Sequence, residues 1–139
     1  MISFERFTPE DGSPIYLQIL RYIKRGAVAG SIADGDEMPA RRVLSALLGG
    51  NPNTVQKVCR ILEEEGLLCS FAGAKSVMTL DAGKIARIRR QLLTEDAQTA
   101  VRGLRQMGIS KPEAMALLER AWEETEPQAE PPAENEPGK

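Results

Sequence analysis

The sequence predicts a mainly helical fold with one small β-hairpin. Through most of residues 13–122, apolar residues recur three and four positions apart, which is the spacing of amphipathic helices. A capping residue followed by proline occurs at 13–14 and at 51–52, and both pairs are typical of helix starts. The short apolar runs 67–71 and 76–80 flank a glycine-containing loop, as the strands of a hairpin do.

The composition limits the possible functions. Hydrophobic residues make up 42% and aromatic residues 4% of the chain, so we expect an aliphatic core. No apolar run is long enough to span a bilayer, and acids lie where a signal peptide would be apolar, so we expect a cytoplasmic protein. Without any His, neither His-based acid–base chemistry nor a Cys/His zinc site is possible. We therefore predict no enzyme, no metal and no cofactor, and we expect Cys59 and Cys69 to be buried apolar residues.

The charge is unevenly distributed along the chain. Of the 18 basic and 20 acidic residues, one Lys and six acids lie in residues 123–139, so the rest carries a net charge of +3. Residues 39–60 contain four basic side chains (Arg41, Arg42, Lys57 and Arg60) and no acid. Such a segment suits a surface that faces phosphates, although a solvated helix face has the same composition.

Three helices are predicted in the first half, after a loose N-terminal arm (residues 1–12). The first has Ser13 as its N-cap and ends near Val28, before Gly30. The second extends from about residue 40 to residue 48, and we expect its inward residues to be Val43, Leu44, Leu47 and Leu48. The glycines at 49 and 50 end it. The third begins at the Asn-Pro pair and ends near residue 65, with Val55, Val58 and Leu62 as its buried stripe.

The second half continues with the hairpin and two more helices. The hairpin loop is predicted at residues 72–75. Asp81 caps a fourth helix, which either extends unbroken to about Met107 or pauses near Thr94. Ser110 and Glu113 form the capping-box pattern that opens a fifth helix. These elements predict a unit at 13–80, a helical segment at 81–123 and a disordered acidic tail at 124–139.

The order of two turn-linked helices followed by a hairpin is that of a winged helix-turn-helix. In this fold the second of the two linked helices enters the major groove of DNA, and its first residues meet the base edges. Because Val55 and Val58 face inward, the groups that remain outside are those of Asn53, Thr54, Gln56 and Lys57. Amides, hydroxyls and cations are the groups that pair with base edges and phosphates, although the same residues are also good capping chemistry.

Several segments together resemble the DNA-binding domain of the GntR family, from residue 14 to about residue 80. They are residues 14–19 (PIYLQI), 30–32 (GSI), 35–39 (GDEMP), 51–57 (NPNTVQK) and 62–68 (LEEEGLL). The remainder resembles the YtrA-type subfamily, whose members append only two helices; residues 108–113 (GISKPE) fall at the break between them. The resemblance implies a homodimer, an operator with two-fold symmetry and, often, control of a nearby transporter operon.

The resemblance also implies DNA contacts. Arg42 matches the family's Arg in the second helix, and Gly73 matches the glycine at the wing tip. Ala40 replaces a helix-capping Ser, and the wing has lost the Arg pair and the Lys-Gly pair that are usual there, so that only Lys75 leaves a charge on it. We therefore expect the wing to contribute little, with Arg41 compensating in part. The full set of predicted DNA-binding residues is Arg41, Arg42, Asn51, Asn53, Thr54, Gln56, Lys57, Arg60, Gly73 and Lys75.

The two C-terminal helices present apolar stripes that a two-helix appendage cannot cover alone. Pairing with a second copy would cover them, and it would place two recognition helices on one operator. The predicted interface residues are Ile85, Ile88, Leu92, Leu104, Met115, Leu118 and Trp122. The alternative is that these residues pack on their own chain. For Arg87, Arg89 and Arg90, a solvated helix face is favoured over contacts with flanking phosphates.

The sequence leaves three functions to compare. The favoured one is a DNA-binding transcriptional regulator that acts as a homodimeric repressor on a palindromic operator. A second is a sensor in which a small molecule binds at the dimer interface, although no pocket-forming motif is evident. A third is a winged helix that contacts protein and not DNA, which the weakly charged wing keeps open.

Overall fold

A computed structural model describes residues 1–10, 12–49, 51–71 and 75–125. Within these residues the chain forms five helices and one hairpin, in the order α1 (Ile15–Ala29), α2 (Arg41–Leu47), α3 (Pro52–Glu64), β1 (Leu68–Phe71), β2 (Lys75–Met78), α4 (Ala82–Gln106) and α5 (Lys111–Glu124). The predicted fold class, mainly helical with one antiparallel hairpin, is confirmed. The chain divides into two compact units, Met1–Arg89 and Arg90–Lys139. Of the predicted tail at 124–139, Glu124 still belongs to α5, and residues 126–139 lie outside the described residues.

The core of the first unit forms around α3. Helices α1 and α2 both pack on α3, which also contacts β1. The predicted stripe of α3 is confirmed, because Val55, Val58 and Leu62 are all buried. The core is aliphatic, as the composition predicts; its largest fully buried side chains are Ile19, Ile23, Leu44, Val55, Val58, Cys59, Leu62, Leu67 and Met78.

The start of α1 lies one residue later than predicted. Pro14 is the N-cap and makes no side-chain capping hydrogen bond, so the prediction of Ser13 as the N-cap was wrong. Gln18 organises this end instead. Its side-chain amide nitrogen donates to the carbonyls of Glu10 and Ser13, and its amide oxygen accepts from the Glu10 N–H. At the other end Gly30 adopts a left-handed conformation with φ of +94°, which confirms it as the residue that ends the helix.

The N-terminal segment is not a loose arm, contrary to the prediction. Ile2 is buried, and its N–H donates to the carbonyl of Glu37 over 2.8 Å. The ring of Phe4 stacks on that of Tyr22, and the Tyr22 hydroxyl donates to the carbonyl of Ser3. The sequence prediction missed this docking because residues 1–10 show no helical or strand period; their contacts are a few separate ones with residues distant in the sequence.

The second helix buries less than predicted. It has only seven residues, and of these Leu44 and Ser45 are buried. Val43 is 49% exposed and Leu47 is 64% exposed, so the expectation that both face inward was wrong. A helix of two turns presents only one narrow face to α3, and Leu44 lies on that face. Gly49 follows with φ of +103°.

The hairpin gains a third extended segment. In the hairpin itself Leu68 pairs with Met78, and Phe71 pairs with Lys75. Residues 35–38 lie along the other side of β2, where the N–H of Met38 donates to the carbonyl of Ser76 and the N–H of Met78 donates to the carbonyl of Asp36. The sequence predicted only a turn at residues 34–36, so this pairing is an addition. It anchors β2 to the connection between α1 and α2.

The fourth helix extends unbroken from Ala82 to Gln106, which decides between the two alternatives that the sequence left open. Asp81 caps it as predicted, since its Oδ1 accepts from the N–H of Lys84 over 2.8 Å. Gly108 follows the helix with φ of +77°. Ser110 then caps α5 by accepting from the N–H of Glu113, which is the first half of the predicted capping box.

Candidate nucleic-acid interface

The first turn of α3 is fixed by its own capping residues. Asn51 Oδ1 accepts a hydrogen bond from the N–H of Asn53 over 3.0 Å, and Pro52 occupies the first helical position. Proline has no N–H to satisfy there, and its fixed φ suits the helix. The cap therefore holds the start of α3 without help from the core, which leaves the polar side chains of this turn on the surface.

The outer face of α3 is polar and accessible. Asn53, Gln56 and Lys57 are exposed, whereas Thr54 is half-buried. Val55 and Val58, which alternate with these residues in the sequence, are buried in the core. The structure thus places the predicted base-contacting side chains on one side of the helix and the apolar ones on the other.

The two arginines of α2 differ in their surroundings. Arg41 Nη2 lies 3.9 Å from Glu63 Oε2, across the contact between α2 and α3. Arg42 is exposed, and within the described part of the chain its guanidinium has no ion-pair partner. Among these residues no carboxylate competes for the N–H donors of Arg42, so they can bind a phosphate or a guanine in a bidentate manner.

Other predicted cations are paired with carboxylates. Arg60 Nη1 lies 3.5 Å from Glu64 Oε2 on the next turn of α3, and both side chains are exposed. Lys75 lies at the start of β2, and its Nζ is 3.3 Å from Glu37 Oε2. The sequence window 39–60 contains no acid, but the fold brings carboxylates from outside it close to two of its cations, Arg41 and Arg60. Lys75, beyond the window, also has a carboxylate partner.

This neutralisation could be anticipated only in part. Arg60 and Glu64 are four residues apart in a predicted helix, and that spacing is a known signal for a pair. The partners of Arg41 and Lys75 are distant in the sequence and become neighbours only through packing. The predicted wing-tip residue, Gly73, lies outside the described residues, as do Ala72 and Ala74.

Lys57 has a different kind of partner. Its Nζ lies over the ring of Tyr16, 3.8 Å from the ring centroid. Tyr16 belongs to the first turn of α1 and is half-buried. A ring attracts the ammonium through its quadrupole but carries no opposite charge. The Tyr16 ring therefore holds Lys57 in place without neutralising its charge.

The two cysteines differ from each other. Cys59 is buried on the core side of α3, as predicted, whereas Cys69 is exposed on β1, so the expectation for Cys69 was wrong. Burial raises the pKa of the Cys59 thiol, an effect that the nearby Arg41 guanidinium partly offsets. Because the neutral thiol is the favoured form, Cys59 acts as a small core residue.

One carboxylate links α3 to the hairpin. The hydroxyl of Ser70 donates to Glu63 Oε2, the same oxygen that faces Arg41. Ser70 also lies within hydrogen-bond distance of Ser76 on the paired strand. Glu63 thus contacts α2 and β1 from α3, and it fixes the position of Arg41 relative to the hairpin.

The chain is similar in sequence to known transcriptional regulators, although no protein-family model matches it. The HTH-type transcriptional repressor YtrA of Bacillus subtilis is 34% identical over 90 residues, which cover 60% of this chain and 69% of that protein. The chain belongs to the GntR family of transcriptional regulators, in its YtrA-type subfamily. Members of this family are not enzymes.

A solved structure and a second sequence relative agree with the assignment. A GntR family transcriptional regulator from Listeria monocytogenes matches 80% of this chain and 97% of its own, with a TM-score of 0.68 and 27% identity. An uncharacterized HTH-type transcriptional regulator of Bacillus subtilis, YhcF, is 26% identical over 76% of this chain and 88% of its own. These matches extend beyond residues 14–80, because each covers more than three quarters of this GntR-family chain.

The second unit of this GntR-family chain has an apolar face on α5. Met115 and Leu118 are exposed there, and Trp122 is 84% exposed. They lie at spacings of three and four residues, so they share one side of the helix. Leu104, on α4, is half-buried. A large aromatic side chain so fully in water is unusual unless a partner covers it.

Three of the predicted interface residues have less surface to offer. Ile88 is 2% exposed and Leu92 is 5% exposed within the single chain. Ile85 is half-buried. Ile88 and Leu92 thus have little surface left for a second copy, which favours the alternative that the sequence left open for them.

Among the described helices, none has both the length and the hydropathy needed to cross a membrane.

Proposed function

We propose that this chain binds double-stranded DNA as a homodimer, through the outer face of α3 together with Arg42, and that it represses transcription from a two-fold symmetric operator. One observation carries the proposal: Asn53, Gln56 and Lys57 stand exposed on a helix whose opposite side is buried, as a helix entering the major groove requires. Membership of the GntR family and the repressor named among its relatives support it. Since its partner would be genomic DNA, we propose that the protein acts in the cytoplasm.

The contacts fall into two groups. Asn53 and Gln56 carry amides, which pair with adenine edges, and they supply sequence discrimination. Arg42 and Lys57 supply positive charge that no carboxylate neutralises within the described residues. We place Arg41, Arg60 and Lys75 second, because each must first leave its carboxylate. Asn51 serves the interface by capping the helix.

The homodimer places two such surfaces on one duplex. We propose that Met115, Leu118 and Trp122 of α5 form the centre of its interface, with Leu104 and Ile85 as further candidates. Two recognition helices about 34 Å apart read successive turns of one face of the DNA, so the operator would be a palindrome. A transporter operon as the target is the expectation that the resemblance carries.

Arg42→Ala tests the proposal. The probe is a fluorescent duplex from the region upstream of the protein's own gene, titrated at moderate salt. Loss of one well-placed arginine contact should weaken binding about tenfold or more. Arg120→Ala, which removes an exposed arginine from α5, should bind as the wild-type chain does. Equal affinity of wild type and Arg42→Ala would overturn the site, and no binding to any duplex would favour a winged helix that contacts protein.

A further inference from the structure

We infer that Tyr16 is a positioning residue for DNA binding: its ring holds the Lys57 ammonium ready for a phosphate. The inference rests on the proposed function and adds a residue of α1 to the DNA-binding machinery. The observation behind it is the cation–π contact, with Lys57 Nζ 3.8 Å from the centroid of the Tyr16 ring. Neither residue type nor spacing in the sequence indicates this contact, because 41 positions separate the two residues.

The kind of partner is what matters. A carboxylate would offset the charge of the ammonium and compete for its N–H groups, as Glu37 does beside the Lys75 ammonium. The Tyr16 ring covers one side of the ammonium and accepts no conventional hydrogen bond from it. Lys57 is exposed, so its other side faces solvent. A phosphate can therefore approach a lysine that is already oriented and that no carboxylate of the described residues neutralises.

Orientation has a thermodynamic value here. A free lysine side chain loses much rotamer freedom when it is fixed on a phosphate, which opposes binding. The Tyr16 ring imposes part of this order before DNA arrives, so less is lost on binding. Tyr16 is itself fixed, because it is half-buried in a helix that packs on α3.

A double-mutant cycle on the full chain tests the inference. The variants are Tyr16→Leu, Tyr16→Phe, Lys57→Met and Tyr16→Leu with Lys57→Met. The probe is a fluorescent mixed-sequence duplex at low salt, because phosphate contacts do not depend on sequence. Tyr16→Leu should weaken binding about two- to five-fold, the size of a cation–π contact at an exposed site. Tyr16→Phe keeps the ring and should bind as the wild-type chain does.

The Lys57→Met background separates positioning from a structural role. Lys57→Met should weaken binding and reduce the slope of log K against log salt by about one, as the loss of one phosphate contact does. In that background Tyr16→Leu should have no further effect. An equal loss in both backgrounds, or wild-type affinity for Tyr16→Leu, overturns the inference and leaves the proposed function standing. If the wild-type chain binds no duplex, the proposed function and the inference both fail.

Discussion

At the scale of single residues, the pair of Arg60 and Glu64 shows how carboxylates partly neutralise the positive charge of α3. They lie one turn apart on α3, and Arg60 Nη1 is 3.5 Å from Glu64 Oε2. An exposed pair of this kind is weak, so it forms and breaks readily. A phosphate that binds Arg60 must compete with the carboxylate, which lowers the gain from that contact.

Glu64→Gln should therefore raise DNA affinity. We expect an increase of about two-fold and a steeper dependence on salt, because Arg60 then meets phosphates as a free cation. Anisotropy titrations with one duplex at several salt concentrations measure both. In an Arg60→Ala background the same substitution should change affinity much less, and an undiminished increase there would show that the pair is not the cause.

At the scale of elements, α2 differs most from its sequence prediction. It is a short helix whose N-cap, Ala40, makes no side-chain hydrogen bond. The backbone of Ala40 is nevertheless extended, with φ of −53° and ψ of 142°, and its carbonyl already accepts from the N–H of Leu44 over 2.8 Å. A capping hydroxyl at residue 40 is thus missing from a helix start whose backbone could receive it.

Ala40→Ser should stabilise the protein. The Ser hydroxyl would accept a hydrogen bond from an N–H of the first turn, which adds about 1 kcal/mol to the free energy of unfolding. For a unit of this size that corresponds to a rise in Tm of about 4 to 8 °C in a thermal unfolding experiment. Ala46→Ser, an exposed position inside the same helix, should bring no increase; a matching increase there would show that capping is not the reason.

The elements also show what the sequence could and could not predict. The caps at Asn51, Asp81 and Ser110 and the left-handed glycine after α1 are local, so their signals are readable in a few residues. The docking of Ile2 and the pairing of residues 35–38 with β2 depend on distant backbone, and no local period marks them. Val43 and Leu47 are apolar at helical spacing, but the helix is too short to bury them.

The candidate site follows the same division. That Asn53, Gln56 and Lys57 would point outward was predictable, because the buried stripe of α3 fixes the opposite face. The pairing of Arg41 with Glu63 and the stacking of Lys57 on Tyr16 were not, since each joins two elements. Net charge along a sequence window therefore overstated how much free positive charge the surface presents.

At the scale of the whole molecule, the exposed face of α5 is the feature that a monomer leaves unexplained. Leu118→Glu should place a charge in the proposed interface and turn the dimer into a monomer. Sedimentation velocity of the wild-type chain and the variant at one concentration measures this. Ala116→Glu adds the same charge on another side of α5 and should leave the dimer intact. A dimeric Leu118→Glu would move the interface elsewhere, and a monomeric wild type would contradict the homodimer.

The outer face of α3 is the surface that we propose receives the duplex. Amide ¹H–¹⁵N spectra of the protein, recorded while a duplex from its own upstream region is added, show which residues the duplex reaches. We predict that the largest changes fall on Asn53, Gln56, Lys57 and Arg42, with little change at residues 111–124. Changes centred on α5, or an α3 that stays unaffected while the duplex binds, would contradict the account.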